Sequence, residues 1–498
     1  ALAWYDQVLR REVRFLTRPL DLFTLAFTGA YLLSTLVAVN RHEAALGFLK
    51  VTGYFMVYWS ACRLARDYRR LRRLLQTLFA AGVGVAVVGV AAAAGIFKFP
   101  GAVQGGVVMS TLQYENALAI YLVMTNTIGL ALGSSSGRPW GQGLYIAGSY
   151  LITVVILLTQ SRGGWVIYPL SLGALAALVP PCYRAWVAYG AVLTLSVALL
   201  AARGFLPRLE AGGGWRSLAP LLVGVAAALA GQAAYQLALA LLDRFRVSRR
   251  ASSWLLAGGA LYLGLILIFY ILHVSPAVPE VAARFVPREV LVTSRRIKAD
   301  EPSLVSRIFV SKDALKIVRD YPLLGAGAGG WNALYHRYQS SLYWTTEVHN
   351  HFAQVWVETG TVGLLAYLAV WGGFLHTLYR LWHSRLPEAH RALAWGAAVA
   401  AVALGAHSFM DFDLSLPAVA MTLWALWGLT RAVASFRWTP GGEGSHPGGG
   451  RTGAYGHGPA PAPAQEGSRG AGTWGLALRN PAARGTAARE AAVSRLPG

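Results

Sequence analysis

The sequence has 498 residues, of which 55% are hydrophobic and only 13% are charged. Soluble domains usually carry about 25% charged residues, so this composition excludes an ordinary soluble enzyme and predicts an integral membrane protein. The net charge of +22 at pH 7 would suit a nucleic-acid-binding protein. The basic residues, however, form short clusters between apolar runs, which is typical of loops that flank membrane spans. We therefore expect membrane lipids, and no nucleic acid, among the partners.

Apolar runs long enough to cross about 30 Å of hydrocarbon as helices recur about twelve times along the chain. This indicates an all-α polytopic membrane protein with about twelve transmembrane helices. The predicted spans lie near residues 20–39, 44–62, 74–97, 115–133, 142–160, 164–180, 185–202, 217–242, 253–274, 360–382, 391–410 and 415–436.

Lys and Arg are about threefold more frequent in every second connecting segment, counted from the N-terminus. Because cytoplasmic loops carry this excess, both termini are predicted to be cytoplasmic, and the basic residues before the first span favour a retained anchor. Four domains are predicted: helices 1–9 in residues 1–274, a large extracytoplasmic loop with amphipathic helices in 275–359, helices 10–12 in 360–438, and a disordered cytoplasmic Gly/Pro/Ala-rich tail in 439–498.

Five separate regions place polar side chains on the predicted outer face of the membrane. Charged groups near a bilayer are costly and usually line a cavity or pathway, so a single cavity is the economical interpretation. The residues concerned are Tyr114 and Asn116, then Gln160 to Arg162, then Arg307 and Arg319 in the loop, then His349 and Asn350, and finally His407, Asp411 and Asp413.

His349 is a candidate general base, because a neutral imidazole can take a proton from a hydroxyl group. The alternative is a histidine that caps or anchors a helix end. If a helix begins at His349, the side chains of His349 and His351 point about 200° apart, so only one faces the cavity. The histidines and the aspartates Asp411 and Asp413 do not follow a zinc-site spacing, so no metal and no cofactor is expected.

Arg162 precedes Gly163 and Gly164, whose exposed backbone N–H groups would suit a phosphate; the alternative is an arginine that extends to the membrane interface. Residues 304–318 form an amphipathic pattern with Leu304, Ile308, Leu315 and Val318 on one side, which is also typical of a helix lying on the membrane surface. Asp411 and Asp413 could orient a basic residue of the loop, hold acceptor sugars, or form a structural ion pair.

The sequence around His349 resembles a motif of the O-antigen ligase and polymerase superfamily, membrane glycosyltransferases that use lipid-linked glycans. The motif reads His349-Asn350, nine residues, Gly360, two residues and Gly363. Three further segments are similar to the family: Tyr-Glu-Asn-Ala-Leu-Ala at 114–119, Thr-Gln-Ser-Arg-Gly-Gly-Trp at 159–165 and Arg-Asp-Tyr-Pro-Leu-Leu-Gly-Ala-Gly at 319–327. The resemblance covers roughly residues 20–436.

The resemblance implies a GT-C-type fold with a large outside loop between helices 9 and 10. It implies transfer of a glycan from undecaprenyl diphosphate to an acceptor hydroxyl of a lipid, glycan or protein, at the outer face of the bacterial cytoplasmic (inner) membrane. His349 matches the family's catalytic histidine, and Arg162 and Arg307 match arginines that engage the diphosphate. Arg319, Asn350, Gln160 and Asn116 complete the predicted substrate-binding set.

Two other functions remain open at this level. Within the same enzyme class, a polymerase or a protein O-oligosaccharyltransferase would use the same donor with another acceptor, although the histidine motif favours a ligase. A polytopic transporter or flippase would also contain intramembrane charges. It would, however, distribute polar groups through the bilayer midplane, whereas here they gather on one predicted face, which favours the enzyme.

Overall fold

The computed structural model describes residues 17–211, 213–245 and 302–435, with a few positions between 248 and 258. A two-stranded hairpin (β1, Val103–Gln104; β2, Val107–Val108) lies between two of the helices. The α-helices within the described residues are α1 (Pro19–Ser34), α2 (Arg41–Leu64), α3 (Tyr68–Ala93), α4 (Glu115–Ser134), α5 (Pro139–Leu158), α6 (Arg162–Leu178), α7 (Pro181–Glu210), α8 (Ala219–Arg244), α9 (Pro302–Asp320), α10 (Gly330–Tyr338), α11 (His351–Trp382), α12 (Glu388–His407) and α13 (Pro417–Val433).

Within the described residues, seven helical segments are long and apolar enough to cross a membrane: α3, α4, α5, α7, α8 with the short turn before it, α11 and α12. The prediction of a helical, multi-pass membrane protein is thereby confirmed. The number twelve remains a prediction, because α1, α6 and α13 have only 16 or 17 residues and α2, with 24, is not among the seven. The predicted span near 253–274 and the predicted tail at 439–498 lie outside the described residues.

Helix α4 is the centre of the bundle. Every residue from Ala117 to Ser134 is buried, and α3, α5, α6 and α12 pack around it. A helix that is apolar on all sides has no preferred solvent face and is stable only when other helices surround it. Small residues allow this close packing: a Cβ on Gly129 would lie 2.2 Å from the Phe79 ring. The beginning of α4 is therefore held rigidly, and it carries Tyr114 and Asn116.

A buried ion pair connects the first and last described helices. Arg431 of α13 donates from Nε to Asp21 Oδ1 of α1 at 2.9 Å, and Tyr58 of α2 donates to the same oxygen at 2.5 Å. Asp21 is 1% exposed. A charge buried among helices is costly unless it is paired and hydrogen-bonded, so this cluster fixes α1, α2 and α13 in one arrangement.

The chain reverses direction inside α11. The rings of His351 and Tyr367 lie 5.5 Å apart, whereas a straight helix would separate these positions by about 24 Å. The reversal occurs at Gly360, which has φ +62° and ψ −167°. Only glycine adopts this conformation readily, because any Cβ would clash with the backbone. The reversal falls at the predicted start of the tenth span.

The segment from Pro322 to Gly327 packs directly against this reversal. Thr361 N donates to Pro322 O at 2.9 Å, and Ala326 N donates to Val357 O at 2.8 Å. A Cβ on Gly360 would lie 2.2 Å from Leu323 O. Gly360 of the sequence motif thus builds a turn.

Helix α9 buries a different face from the predicted one. Val310, Ala314 and Ile317 are buried in a small apolar cluster with Trp331 and Tyr335 of α10. Ile308 and Leu315, which the periodicity assigned to the apolar side with Val318, are 49% and 42% exposed. The inward face also carries Asp313, which accepts hydrogen bonds from Ser340 and Tyr343. Because this buried face includes a carboxylate, the hydropathy pattern does not identify it as the apolar face of the helix.

Candidate active site

One buried carboxylate, that of Asp411, joins four segments of the chain. Asp411 lies in the turn after α12 and is 0% exposed. Arg307 Nη2 approaches Asp411 Oδ2 at 3.1 Å, and His349 Nδ1 lies 3.3 Å from Asp411 Oδ1. Arg307 Nη1 also donates to the Met410 carbonyl at 2.5 Å. A loop arginine and the candidate catalytic histidine are therefore held on opposite oxygens of one side chain.

The same carboxylate accepts hydrogen bonds from the beginning of α4. Tyr114 Oη lies within hydrogen-bond distance of both carboxylate oxygens of Asp411, at 2.8 Å from Oδ1 and 2.9 Å from Oδ2, and donates to them. Asn116 Nδ2 donates to Asp411 Oδ2 at 2.7 Å. The amide oxygen of Asn116 accepts from Ser161 Oγ at 2.6 Å. Ser161 Oγ in turn accepts from Gly164 N, capping α6. This chain of hydrogen bonds connects the 160–164 region to Asp411.

His349 lies just before α11, so the helix begins two residues later than the sequence suggested. Asn350 is the N-cap residue, and its Oδ1 accepts hydrogen bonds from Phe352 N at 3.0 Å and Ala353 N at 3.2 Å. The side-chain oxygen of Asn350 thus stabilises the helix end. The backbone N–H of His351 donates to Ser408 O at 2.8 Å, which ties this helix end to the Asp411 turn.

The two loop arginines of the predicted set are in different surroundings. Arg307 and Arg319 are both on α9, about 18 Å apart along the helix axis. The Arg307 side chain is 23% exposed and paired with Asp411, whereas Arg319 is exposed in the last turn. The structure therefore brings Arg307, and not Arg319, into contact with Asp411.

Arg162 and Gln160 flank the capping residue Ser161. Arg162 is the half-buried first residue of α6, and Gln160 takes a left-handed conformation with φ +50° between α5 and α6. A Cβ on Gly163 would lie 2.6 Å from His407 Nε2, so this glycine is needed for close packing against a second histidine.

That second histidine forms its own pair with an aspartate. His407 Nδ1 lies 2.6 Å from Asp413 Oδ2. His407 is 1% exposed and Asp413 0%, whereas the His349 side chain is 25% exposed. A general base must reach the proton that it removes. Of the two His–Asp pairs, His349 with Asp411 is therefore the one that a substrate can approach.

Residues 217–368 match the family model described as O-Antigen ligase. The chain is therefore similar to O-antigen ligases over this range. No curated protein matches the chain. The matched range contains Arg307, Arg319, His349 and Asn350, and it confirms the resemblance to the O-antigen ligase and polymerase superfamily. Activity of the ligase or polymerase type, with a lipid-linked glycan and an acceptor as the general substrate classes, is thereby supported.

The candidate site depends on two residues to which the sequence assigned no definite role. Tyr114 and Asp411 were recognised as polar residues on the same predicted face, but their contact joins positions 297 residues apart. The only available signal was that a carboxylate beside a membrane span needs a partner. Which partner it has depends on the packing of the helices.

The charge of Asp411 is stabilised by its neighbours. Burial raises the pKa of this carboxyl, but the hydrogen bond with His349 and the charge of Arg307 outweigh it and lower the pKa to about 2. For Asp413, by contrast, burial raises the pKa above its ordinary range despite the contact with His407. Asp411 is therefore the carboxylate that stays ionised and can hold both Arg307 and His349.

Replacing Asp411 with Asn should destabilise the protein, and the effect should depend on pH. Because the folded-state pKa is below its ordinary value of 3.8, the ionised group contributes stability above that value, and this contribution is lost as the pH falls towards about 2. We expect Asp411→Asn to lower the free energy of unfolding by about 2–3 kcal/mol at pH 7. The measurement is thermal unfolding of the detergent-solubilised protein from pH 7 to pH 3.

The difference in unfolding temperature between wild type and Asp411→Asn should narrow below about pH 4. Asp243→Asn, at an exposed position of α8, is the matched control and should unfold with wild type throughout. An equal destabilisation by Asp411→Asn at pH 7 and at pH 3 would contradict the ionised state of Asp411.

Proposed function

We propose that this protein transfers a glycan from undecaprenyl diphosphate to an acceptor hydroxyl group, with His349 as the general base. The observation that carries the proposal is the shared carboxylate of Asp411, which contacts both His349 and Arg307. A base for the acceptor and a cation for the leaving group are both needed in such a transfer. Here both are held by the same buried group.

Asp411 would set the tautomer of His349. When Nδ1–H donates to the carboxylate, Nε2 carries the free lone pair and becomes the basic nitrogen. The carboxylate also stabilises the imidazolium that forms when Nε2 takes a proton. The distance of 3.3 Å between Nδ1 and Oδ1 is long for a hydrogen bond, and such contacts often shorten when substrate binds.

Arg307 would neutralise the diphosphate. Two of its nitrogens already donate to Met410 O and Asp411, and a guanidinium has five N–H donors. The remaining donors, on a side chain that is 23% exposed, can form charge-assisted hydrogen bonds to phosphate oxygens. Arg162 would be a second cation for the same group.

The reaction follows as a single displacement. The acceptor oxygen attacks the anomeric carbon of the donor sugar while His349 Nε2 takes the acceptor's proton. The bond from the anomeric carbon to the phosphate oxygen breaks, and undecaprenyl diphosphate leaves with the electron pair. Attack from the face opposite the leaving group inverts the configuration. Charge develops on the leaving diphosphate, where Arg307 stabilises it most strongly in the transition state.

The proposed location is the outer face of the bacterial cytoplasmic membrane, with both termini cytoplasmic. Tyr114 precedes α4, Ser161 follows α5, Asp411 follows α12 and His349 precedes α11, so the polar residues lie at one end of the bundle. A flippase would instead need polar groups along a path through the bilayer. The clustering at one end supports an interfacial enzyme.

Glycan transfer in proteoliposomes tests the function directly. The full-length protein would receive an undecaprenyl-diphosphate oligosaccharide and three acceptors: a lipid-linked core oligosaccharide, a second lipid-linked repeat and a Ser/Thr peptide. The accepted substrate would distinguish a ligase, a polymerase and a protein O-oligosaccharyltransferase. Absence of product with every acceptor, from folded protein, would reject the proposal and favour a transport assay.

Arg307 and Arg319 provide a matched pair of variants on the same helix. We expect Arg307→Ala to lower kcat/KM for the lipid-linked donor about 10- to 100-fold, because a charge-assisted hydrogen bond contributes about 1.5–3 kcal/mol. Arg319→Ala should stay within about twofold of wild type, since this side chain is exposed and about 18 Å away along the helix. Equal losses in the two variants would show that Arg307 has no special role at the diphosphate.

A further inference from the structure

A polar cavity lies beside the hydrogen-bond network formed by Asp411, His349 and Arg307. Its volume is about 290 Å³, at the lower end of the range for small-molecule sites. The aromatic side chains of Phe27, Tyr54, Tyr367 and Trp427 form much of its wall. Exposed Lys50 lies on its rim and donates to Ser415 O at 2.9 Å.

Several side chains that line this cavity carry a buried polar atom without a hydrogen-bond partner. They are Tyr54 Oη, Tyr367 Oη, Trp427 Nε1 and His351 Nδ1. Tyr54 is 4% exposed, Tyr367 2% and Trp427 0%. A buried polar group without a partner is destabilising, so four around one small cavity require an explanation. A ligand rich in hydrogen-bonding groups would provide one.

The same wall contains two carboxyl groups. Glu358 accepts from Tyr31 Oη and from Gln354 Nε2, each at 2.8 Å. Glu347 lies nearby, and burial together with the charge of Glu358 raises its pKa to about 7. At neutral pH the Glu347 carboxyl can therefore donate as well as accept a hydrogen bond.

The chemistry of this lining selects one class of ligand. A lipid chain would leave the tyrosine hydroxyls and the indole N–H without partners. A cation would suit the carboxyls but would be opposed by Lys50. A neutral sugar suits this lining: its hydroxyls can donate to the carboxylates and accept from Tyr54, Tyr367 and Trp427, while its C–H face can pack on the aromatic rings.

We propose that this cavity is a binding site for one sugar unit of the substrates. The role of this sugar in the reaction rests on the proposed glycan transfer. Binding of a sugar in the cavity does not depend on transfer. The sugar would come either from the acceptor or from the donor glycan, and both present the same hydroxyl-rich surface.

Two segments of the chain contribute residues both to the cavity and to the candidate active site. In the segment from 347 to 351, His349 contacts Asp411, whereas Glu347 and His351 line the cavity. In the turn after α12, Asp411 belongs to the network and Ser415 lines the cavity. A sugar bound here would be anchored to the same two segments that hold the general base.

Tyr54→Phe and Tyr367→Phe are the decisive variants, because each removes only the hydroxyl without a partner. We expect each to raise the KM of either acceptor or donor about 3- to 10-fold, the effect of one hydrogen bond, with kcat within about twofold of wild type. The substrate whose KM changes identifies the source of the sugar. Without substrate, both variants should unfold at or above the wild-type temperature, whereas hydroxyls with a structural role would lower it.

Saturation-transfer NMR with free glucose, galactose and N-acetylglucosamine provides a readout that is independent of transfer. Full-length wild type in nanodiscs should give a signal with at least one sugar, and both variants should weaken it at least threefold. Tyr379→Phe, at a 63% exposed position outside the cavity lining, is the matched control and should change neither KM nor the signal.

The two proposals fail separately in these measurements. Transfer by wild type with unchanged KM values and unchanged sugar signals in both variants would overturn the sugar site and leave the transferase intact. Absence of transfer, together with a sugar signal that weakens in the variants, would reject the transferase and retain the sugar site. A lower unfolding temperature of both tyrosine variants, with no change in KM or in the sugar signal, would also overturn the proposed sugar site.

Discussion

Replacing His349 with Ala is expected to lower the rate of glycan transfer about 10²- to 10⁴-fold, the usual contribution of a positioned general base. The fold should be little affected, because the side chain is 25% exposed and its polar contact is the 3.3 Å approach to Asp411. The measurement is single-turnover transfer in proteoliposomes at saturating donor and acceptor. Added imidazole should restore part of the rate, since it can take the acceptor's proton in place of the missing ring.

His383→Ala is the matched control for this loss, because His383 is an exposed histidine at the other end of α11. It should transfer glycan at the wild-type rate. Wild-type turnover by correctly inserted His349→Ala would remove His349 from the mechanism. The buried pair of His407 and Asp413 would then have to be tested as the alternative base.

Replacing Gly360 with Ala is expected to cause a large loss of stability. The residue has φ +62° and ψ −167°, and the new Cβ would lie 2.2 Å from Leu323 O. Backbone strain of this kind costs about 1–3 kcal/mol, and the contact with a main-chain oxygen adds to it, so a loss of about 3 kcal/mol or more follows. Thermal unfolding of purified variants in the same detergent measures it.

Gly372 is the control within the same helix, since no atom lies within 4 Å of a Cβ added there. Gly372→Ala should unfold at the wild-type temperature or slightly above, because alanine is favoured over glycine in a helix by about 0.5–1 kcal/mol. Equal unfolding temperatures of the Gly360 and Gly372 variants would contradict the reversal of the chain at Gly360.

The prediction for His349 depended on a motif, and the structure supplies its physical reason. Gly360 permits the reversal that brings Tyr367 back to His351, at the helix end where His349 lies. Sequence spacing could not show this, because a regular helix from His349 would have continued in one direction through Gly360. The left-handed conformation of one residue changes the direction of the following chain.

The structure places the predicted binding residues in different surroundings, again for a physical reason. Arg307 and Arg319 are equivalent as basic residues of one amphipathic segment, and only the packing of α9 distinguishes them. Arg307 meets the carbonyl of Met410, 103 residues further along the chain. Asn350 was selected as a ligand-binding amide, yet its side-chain oxygen caps α11.

Hydropathy and composition by themselves determined that this is a helical membrane protein, because the free energy of burying apolar segments is a sum over neighbouring residues in the chain. Motif order likewise indicated the family. Only the tertiary structure decided that Asp411 holds His349 and Arg307 together, and that His351 faces a different cavity. Those contacts join residues far apart in the chain, and their geometry depends on how the helices pack and where the backbone reverses.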